Sequence, residues 1–237
     1  YFARYHIASG KWSSCSTTTL GGAVYALASG PDGDIYVGGK FLDVGGDPNA
    51  DILLRYEVSA SGYKKIYTTP PSPPSGNITS MLVSGQTLYV SGPCNTINGV
   101  TIKGAGQYDI PSGTWSAMGA GFDSLPAQAY AIVEHPFAAI RGTRKILFGG
   151  DFSMAAVSNR LALWTGSAWT GISTTSGAVY TCHVAGGVLW VGGDFTTIGG
   201  LTASKIAVYD GYTWRALGSG TTDGAGIVAV RSDADGV

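Results

Sequence analysis

The sequence predicts an all-β chain assembled from repeated four-stranded units, and three observations carry that prediction. Four stretches, YVGGKF (36–41), YVSGPC (89–94), LFGGDF (147–152) and WVGGDF (190–195), repeat one pattern of an apolar pair, a small pair and a spaced apolar residue. Around each stretch, short runs of alternating apolar and polar residues are separated by Gly, Asp, Asn and Ser turns, which is strand chemistry. No stretch of about ten or more residues carries the apolar spacing of a helix.

Each element of the unit can be justified in order. The first strand precedes the doublet, as in GAVYALASGPDGD from residue 22 and GAVYTCHVAGG from residue 177. The second strand ends in the doublet itself. A polar, Gly-containing loop follows, and then an aromatic, a tight turn and a second aromatic form the outer pair: RYEVSASGYKKI, QYDIPSGTWSAM, LWTGSAWTGI and VYDGYTWRAL. The head of the chain, RYHIASGKWSSC, is a further copy of that outer pair. The second aromatics fall at Trp12, Tyr63, Trp115, Trp169 and Trp214, steps of about 45–54 residues, the range of propeller-type repeats.

These units divide a single β-propeller region, 1–237, into 22–70, 76–121, 127–175 and 177–220, with a split unit made of 1–21 (outer strands) and 225–237 (inner strand). A sheet this small buries neither face alone, so the copies must pack face to face around an axis. The doublet glycines Gly38, Gly39, Gly149, Gly150, Gly192 and Gly193 allow close backbone approach. Trp12, Trp115, Trp169 and Trp214 supply large buried areas between neighbouring sheets. Either a five-bladed ring closes by pairing the ends, or the chain is part of a larger propeller or array. The missing second strand of the split unit favours the latter. The chain opens at Tyr1 without Met or a visible signal peptide, which reads as a processed chain or part of a longer one, covalently continuous with further sequence.

The composite unit, roughly Y-V-G-G-D-F-T-x-x-G-G followed by I-A-x-Y-D-G-x-x-W-x-x-L-G, resembles kelch-like β-propeller repeats. The similarity is greatest to the variety in fungal cortical-marker cell-surface proteins and in bacterial and viral surface proteins. It covers almost the whole chain, with departures where Tyr63 stands in place of Trp and Ser91-Gly92 in place of the doublet. The resemblance implies a fold and no particular activity, because propellers host binders, scaffolds and enzymes alike.

Composition narrows the function classes. Charged residues are 12%, the net charge is −1 and mean hydropathy is +0.16, so no basic footprint points to nucleic acid. No apolar run approaches the roughly 18–20 residues of a membrane helix. Abundant Gly, Ser, Thr and Tyr with sparse Lys and Glu point to an extracellular, cell-surface or virion-surface protein.

Catalytic or metal chemistry finds little support, and no cofactor is expected. Cys15, Cys94 and Cys182 fill slots that are apolar in the other units, so they read as core thiols. His6, His135 and His183 form no pair at ligand spacing. Asp151 and Asp194 share one loop position, where paired carboxylates could serve glycosidic chemistry, but Asp is also a common turn-former. DGYTW (210–214) is one residue short of the D-x-G-x-T-W box of sialidases and reads as a hairpin turn. GPDGD (30–34) and SDADG are too short for calcium loops. TTPPSPPSG (68–76) is a proline-rich connection, and Asn77-Ile78-Thr79 is a glycosylation sequon that matters only in a secreted chain.

The loops joining second to third strands would emerge together on one face. They carry Asp43, Asp47, Asn49, Asn95, Asn98, Asn159, Arg160, Asp194 and Lys205, whose mixed signs and amides suit protein or glycan better than phosphate. The expectation is therefore a non-catalytic structural or recognition module. The alternative is a carbohydrate-active propeller, hydrolase or lectin, with acids near the axis and aromatics exposed on the loop face.

Overall fold

A computed structural model describes residues 3–15, 20–42, 44, 51–66, 76–123, 126–137, 144–154, 157–221 and 224–231. An N-terminal hairpin pairs β1 (Ala3–His6) with β2 (Lys11–Ser14). Blade 1 follows with β3 (Ala23–Ser29), β4 (Ile35–Lys40), β5 (Leu53–Glu57) and β6 (Gly62–Lys65). Blade 2 contains β7 (Ser80–Ser84) and β8 (Thr87–Ser91), a small inserted hairpin of β9 (Thr96–Ile97) and β10 (Val100–Thr101), then β11 (Ala105–Asp109) and β12 (Thr114–Ala117). Blade 3 is β13 (Gln128–Glu134), β14 (Ile146–Met154), β15 (Ser158–Trp164) and β16 (Trp169–Gly171). Blade 4 is β17 (Val179–Ala185) and β18 (Val188–Gly193), the inserted hairpin β19 (Thr197–Ile198) and β20 (Leu201–Thr202), then β21 (Ile206–Tyr209) and β22 (Trp214–Ala216). Each blade is an antiparallel meander of four strands in spatial order first, second, third, fourth.

Alternation along the second strand explains how one blade serves two interfaces. Tyr36 belongs to the apolar cluster shared with blade 2, while its neighbour Val37 packs with Cys15 and Leu20 on the other side. Tyr89 and Val90 divide in the same way, as do Leu147 and Phe148. Successive side chains point to opposite faces of a strand, and here both faces are covered by neighbours. Four such clusters join the N-terminal hairpin to blade 1 and then each blade to the next.

The glycine doublet has two separate jobs. A Cβ at Gly38 would lie 2.7 Å from Ile78 Cγ2, and one at Gly149 would lie 2.6 Å from Val179 Cγ1. The first glycine therefore receives a β-branched side chain from the next blade's inner strand. A Cβ at Gly39, Gly150 or Gly193 would stand 2.1 Å from the carbonyl oxygen of Ala23, Gln128 or Ala178, on the same blade's inner strand. The second glycine thus lets two backbones of one sheet approach.

That close approach coincides with a bulge. In blades 1, 3 and 4 the register between first and second strands shifts between Val24 and Ala26, Ala129 and Ala131, and Val179 and Thr181. The extra residue is a tyrosine each time: Tyr25, Tyr130 and Tyr180. Blade 2 has Thr79 there and solves the doublet differently. Ser91 occupies the first-glycine position, and the residue facing it from blade 3 is the small Ala129. The Ser91 hydroxyl donates to the Gly104 carbonyl (2.7 Å) and accepts from the Ala129 amide (2.9 Å). The hydroxyl fills the volume a β-branched neighbour occupies elsewhere and satisfies two backbone groups.

The described C-terminal segment occupies a fifth inner position without joining a sheet. A Cβ at Gly192 would lie 2.7 Å from Ile227 Cγ2, and the Ile227 amide donates to the Gly193 carbonyl at 3.0 Å. The Ile78 amide does the same to Gly39 at 3.2 Å. The fifth position therefore has an inner segment and an outer hairpin, with no strand between them among the described residues.

Candidate functional site: the loop face and axial channel

The ends of the second strands and the starts of the first and third strands define one face. At the start of each third strand the chain turns through a left-handed residue: Ile52 (φ 45°), Gly104 (φ 87°), Arg160 (φ 68°) and Lys205 (φ 69°). Only blade 2 uses glycine, the residue for which this conformation is inexpensive. In blades 3 and 4 the same position carries a cation, facing the aspartate that follows the doublet. Arg160 Nε lies 3.4 Å from Asp151 Oδ1, and Lys205 Nζ lies 3.9 Å from Asp194 Oδ1. Each cation also donates to a backbone carbonyl of the next connection, Arg160 to Thr175 (3.4 Å) and Lys205 to Ala225 (2.7 Å). Blades 1 and 2 have Lys40 with Ile52, and Pro93 with Gly104, so the pairing is confined to blades 3 and 4 of the four described.

The inner strands surround an axial channel of ≈ 390 Å³. Tyr25, Thr79, Tyr130 and Tyr180 line it from the four blades, and Val228 and Arg231 from the C-terminal segment. That first and last parts of the chain share one channel shows that they come round to the same axis. Tyr130 and Tyr180 meet edge to face at 5.5 Å, and Gln128 Nε2 donates to the Tyr130 hydroxyl at 3.1 Å. Burial pushes the Tyr180 phenol up, and the charges of Asp194 and Asp151, with Tyr130, add to the rise. A second hollow, ≈ 330 Å³, lies beside blade 3 and is lined by Asp151, Asn159 and Arg160 among others.

The structure brings Asn159, Arg160, Asp194 and Lys205 to this face and gives them different duties. Asn159 is exposed, whereas Arg160 and Lys205 are partly buried and tied to acids. Asn98 (φ 51°) and Gly99 (φ 76°) form the tip of the β9–β10 hairpin, as Gly199 (φ 57°) and Gly200 (φ 79°) do for β19–β20. Two left-handed central residues are the mark of a tight type I′ hairpin, so Asn98 serves the turn. Asn95 is exposed at the base of that insertion, and Asn77 is half-buried where the inner strand of blade 2 begins. Asp43, Asp47 and Asn49, and most of the proline-rich connection, lie outside the described residues.

Other expectations meet mixed outcomes. Cys15, Cys94 and Cys182 are buried free thiols, and burial pushes Cys94 and Cys182 up to about 12, which disfavours the reactive thiolate. The second-aromatic tryptophans are not equivalent. Trp115 donates to the Ile66 carbonyl (3.0 Å) and Trp169 to the Met118 carbonyl (2.6 Å), each stitching its blade to the preceding one. Trp12, expected in the same wedge, is exposed, with Tyr5 of its own hairpin against it. The GPDGD turn holds an arginine clamp. Arg55 bonds Asp32 (2.6 Å) and Asp34 (2.7 Å), and the Val58 amide also donates to Asp34 (3.0 Å). In DGYTW, Asp210 accepts the Tyr212 and Thr213 amides and pairs with Arg215. Among the described residues no three His, Cys, Asp or Glu side chains gather as a metal site, and no helix is long and apolar enough to cross a membrane.

The channel tyrosines were the residues missed by sequence reasoning. Their signal was present in the repeated GAVY of residues 22–25 and 177–180, where a large aromatic follows a β-branched residue at a place period-2 alternation does not require.

Comparison with known proteins agrees with the architecture. Residues 30–58, which contain the arginine clamp, match a domain of unknown function described as a DUF5122 beta-propeller. No curated protein matches. Among solved structures, the extracellular domain of a one-component system from B. thetaiotaomicron is similar at 14% identity and TM-score 0.58, over 99% of this chain and 28% of that one. The GH74 enzyme of Niastella koreensis is similar at 15% identity and TM-score 0.58, over 90% of this chain and 33% of that one. The chain thus spans about a third or less of the length of either structure. The fold is a β-propeller of four-stranded blades.

Proposed function

We propose that this chain is a non-catalytic recognition module of an extracellular, cell-surface or virion-surface protein, holding a protein or glycan partner against its loop face. The observation that carries the reading is the pairing of Asp151 with Arg160 and of Asp194 with Lys205. Each of these two acids is matched by a cation across its own blade. Glycosidic chemistry asks for an acid and a base or nucleophile that act together on one bond, whereas each of these two carboxylates is engaged by a cation of its own blade. What the face offers instead is tyrosine at the channel mouth, amide and hydroxyl groups, and balanced charge.

One observation favours the carbohydrate-active reading: Tyr25, Tyr130 and Tyr180 line an open channel, and Asp151 lines a second hollow. A glycan array followed by a turnover assay on any bound glycan separates the two. Recognition predicts saturable binding of a protein or glycan, weakened at least about tenfold by Tyr130→Ala or Tyr180→Ala, with every bound glycan recovered intact. Hydrolysis of the bound glycan, abolished by Asp151→Asn or Asp194→Asn, would overturn it.

A further inference from the structure

The two ion pairs of the loop face balance in count but not in presentation. In blade 3 the Asp151 side chain is 60% exposed and that of Arg160 32%; in blade 4 Asp194 is 55% exposed and Lys205 12%. Each cation is turned inward by the backbone carbonyl it serves, Thr175 for Arg160 and Ala225 for Lys205. Each acid meets its cation through Oδ1, at 3.4 Å and 3.9 Å, longer than the roughly 2.7–2.9 Å of a firm charge-assisted bond. Among the described residues no donor reaches the Oδ2 of either acid. The acids therefore face outward with acceptor capacity to spare, and the cations do not.

An aromatic surface adjoins them. Gln128 stands opposite Asp151 in the ladder of β13 and β14, and its amide reaches the Tyr130 hydroxyl at 3.1 Å. Residues directly opposite in an antiparallel pair are side-chain neighbours, so Gln128 links Asp151 to Tyr130. Tyr130 meets Tyr180 of blade 4 edge to face at 5.5 Å, an arrangement in which the ring offering its edge does not use its own faces. The Tyr180 ring lies over Gly226, where a Cβ would stand 2.6 Å from Tyr180 Cε2 and 3.2 Å from the carbonyl oxygen of Gly193, the neighbour of Asp194. Both rings line the axial channel. Arg231 lines it too, but Ile227 takes the place of Ile78, so Val228 is level with the tyrosines and Arg231 lies three residues on, roughly 10 Å deeper at the rise of a strand.

We propose that the channel mouth beside blades 3 and 4 receives an arginine side chain of a partner protein, its guanidinium stacked on the Tyr130–Tyr180 pair and donating to the outward oxygen of Asp151. Aromatic faces attract a cation through their quadrupole. Arginine suits the place better than lysine because its planar guanidinium stacks and donates at once. Asp194, on the next blade, adds negative charge to the same side of the face. A neutral pyranose would use the rings and leave the carboxylate oxygens to water, and an anion would meet the outward acids first. Tyrosine and arginine are also the residues that most often carry the binding energy of protein interfaces. Such a contact rests on the recognition reading of the loop face and specifies its partner as a protein.

The probe is acetyl-Gly-Arg-Gly-amide, titrated into the chain and followed by the ring resonances of Tyr130 and Tyr180. The same peptide with citrulline in place of arginine is the uncharged control of equal shape. The expected result is saturable shifts at both rings, with the arginine peptide bound at least about threefold tighter than the citrulline peptide and the difference reduced in about 0.5 M salt. Tyr180→Leu, which keeps an apolar wedge over Gly226, and the exposed Asp151→Asn should each weaken the arginine peptide at least about threefold while the native amide spectrum is retained. Equal binding of the two peptides, no saturable binding, or shifts confined to other residues would overturn the proposal. Preferential binding of methyl β-glucoside at the two rings would overturn it as well, giving the mouth to a glycan and leaving the recognition module standing. Hydrolysis of a bound glycan, in contrast, overturns the module itself.

Discussion

The interface between blades 2 and 3 and the flank of blade 1 facing the N-terminal hairpin are built from the same repeat positions, yet they differ in what covers them. Between blades 2 and 3, Ile132 is packed into a cluster with Tyr89, Phe148 and Trp164. At the flank of blade 1, Leu27 occupies the identical position and faces an open cleft. The teaching is that the repeat letters are instructions for an interface, written on both of its sides. Where the described residues leave one side uncovered, the same letter stands at exposed apolar surface in place of core.

The comparison can be broken most severely at the second glycine. Gly150→Ala puts a Cβ 2.1 Å from the Gln128 carbonyl oxygen, a clash with backbone that no rotamer relieves. The expected loss is about 3 kcal/mol or more, read as a large drop in the denaturant midpoint. Next comes the matched pair Ile132→Ala and Leu27→Ala. The buried member should cost about 2–5 kcal/mol, and the exposed one less than about 1 kcal/mol, by chemical denaturation of each variant. Equal losses would mean that the cleft is closed in solution.

Blade 2 gives a subtler handle. Ser91→Ala leaves the Gly104 carbonyl and the Ala129 amide without their shared hydroxyl, at a cost of about 1–3 kcal/mol. The double variant Ser91→Gly, Ala129→Val recreates the pairing of blades 1 and 3 and should recover part of that loss. If it is less stable than Ser91→Ala, the complementarity argued for the doublet is mistaken.

The smallest expected effect concerns the clamp of blade 1. Burial of Asp34 opposes its ionisation, but the Arg55 hydrogen bond, the Val58 amide and the Arg55 charge outweigh it and hold the carboxyl below its usual 3.8. A depressed native pKa means that the clamp's contribution is complete above the unfolded value and is lost as pH falls through the folded one. Melting temperature should therefore decline below about pH 4 more steeply in the native chain than in Asp34→Asn. Parallel curves would show that the clamp adds nothing.

Much of this was legible in the letters, and the limits have physical causes. The doublets, the alternation and the recurring aromatics define blades because each is a strong local constraint that must be met in every copy. Asn98 could not be placed from the letters because Asn-Gly in a polar loop reads equally as a contact or as a hairpin tip, and its paired left-handed torsions put it at the tip. Trp12 could not be distinguished from Trp115 by sequence, since exposure depends on whether a neighbour packs against it. The ion pairs of Arg160 and Lys205 join residues nine and eleven positions apart, across a loop whose length varies between blades, which hides their correspondence. The tyrosines Tyr25, Tyr130 and Tyr180 face the channel through a bulge that breaks alternation, the one signal a period-2 reading ignores.

Residue-resolved amide exchange of the native chain tests the central claim, that one interface is repeated from blade to blade and that the described residues cover the N-terminal hairpin less than the four blades. Local opening costs least where few apolar contacts are buried. The account predicts strongest protection in β8 and β14, which have covered neighbours on both faces, and protection weaker by at least about tenfold in β1, β2 and residues 224–231. Protection of the N-terminal hairpin equal to that of β14 would contradict it, because the hairpin would then be held by an interface as complete as the others.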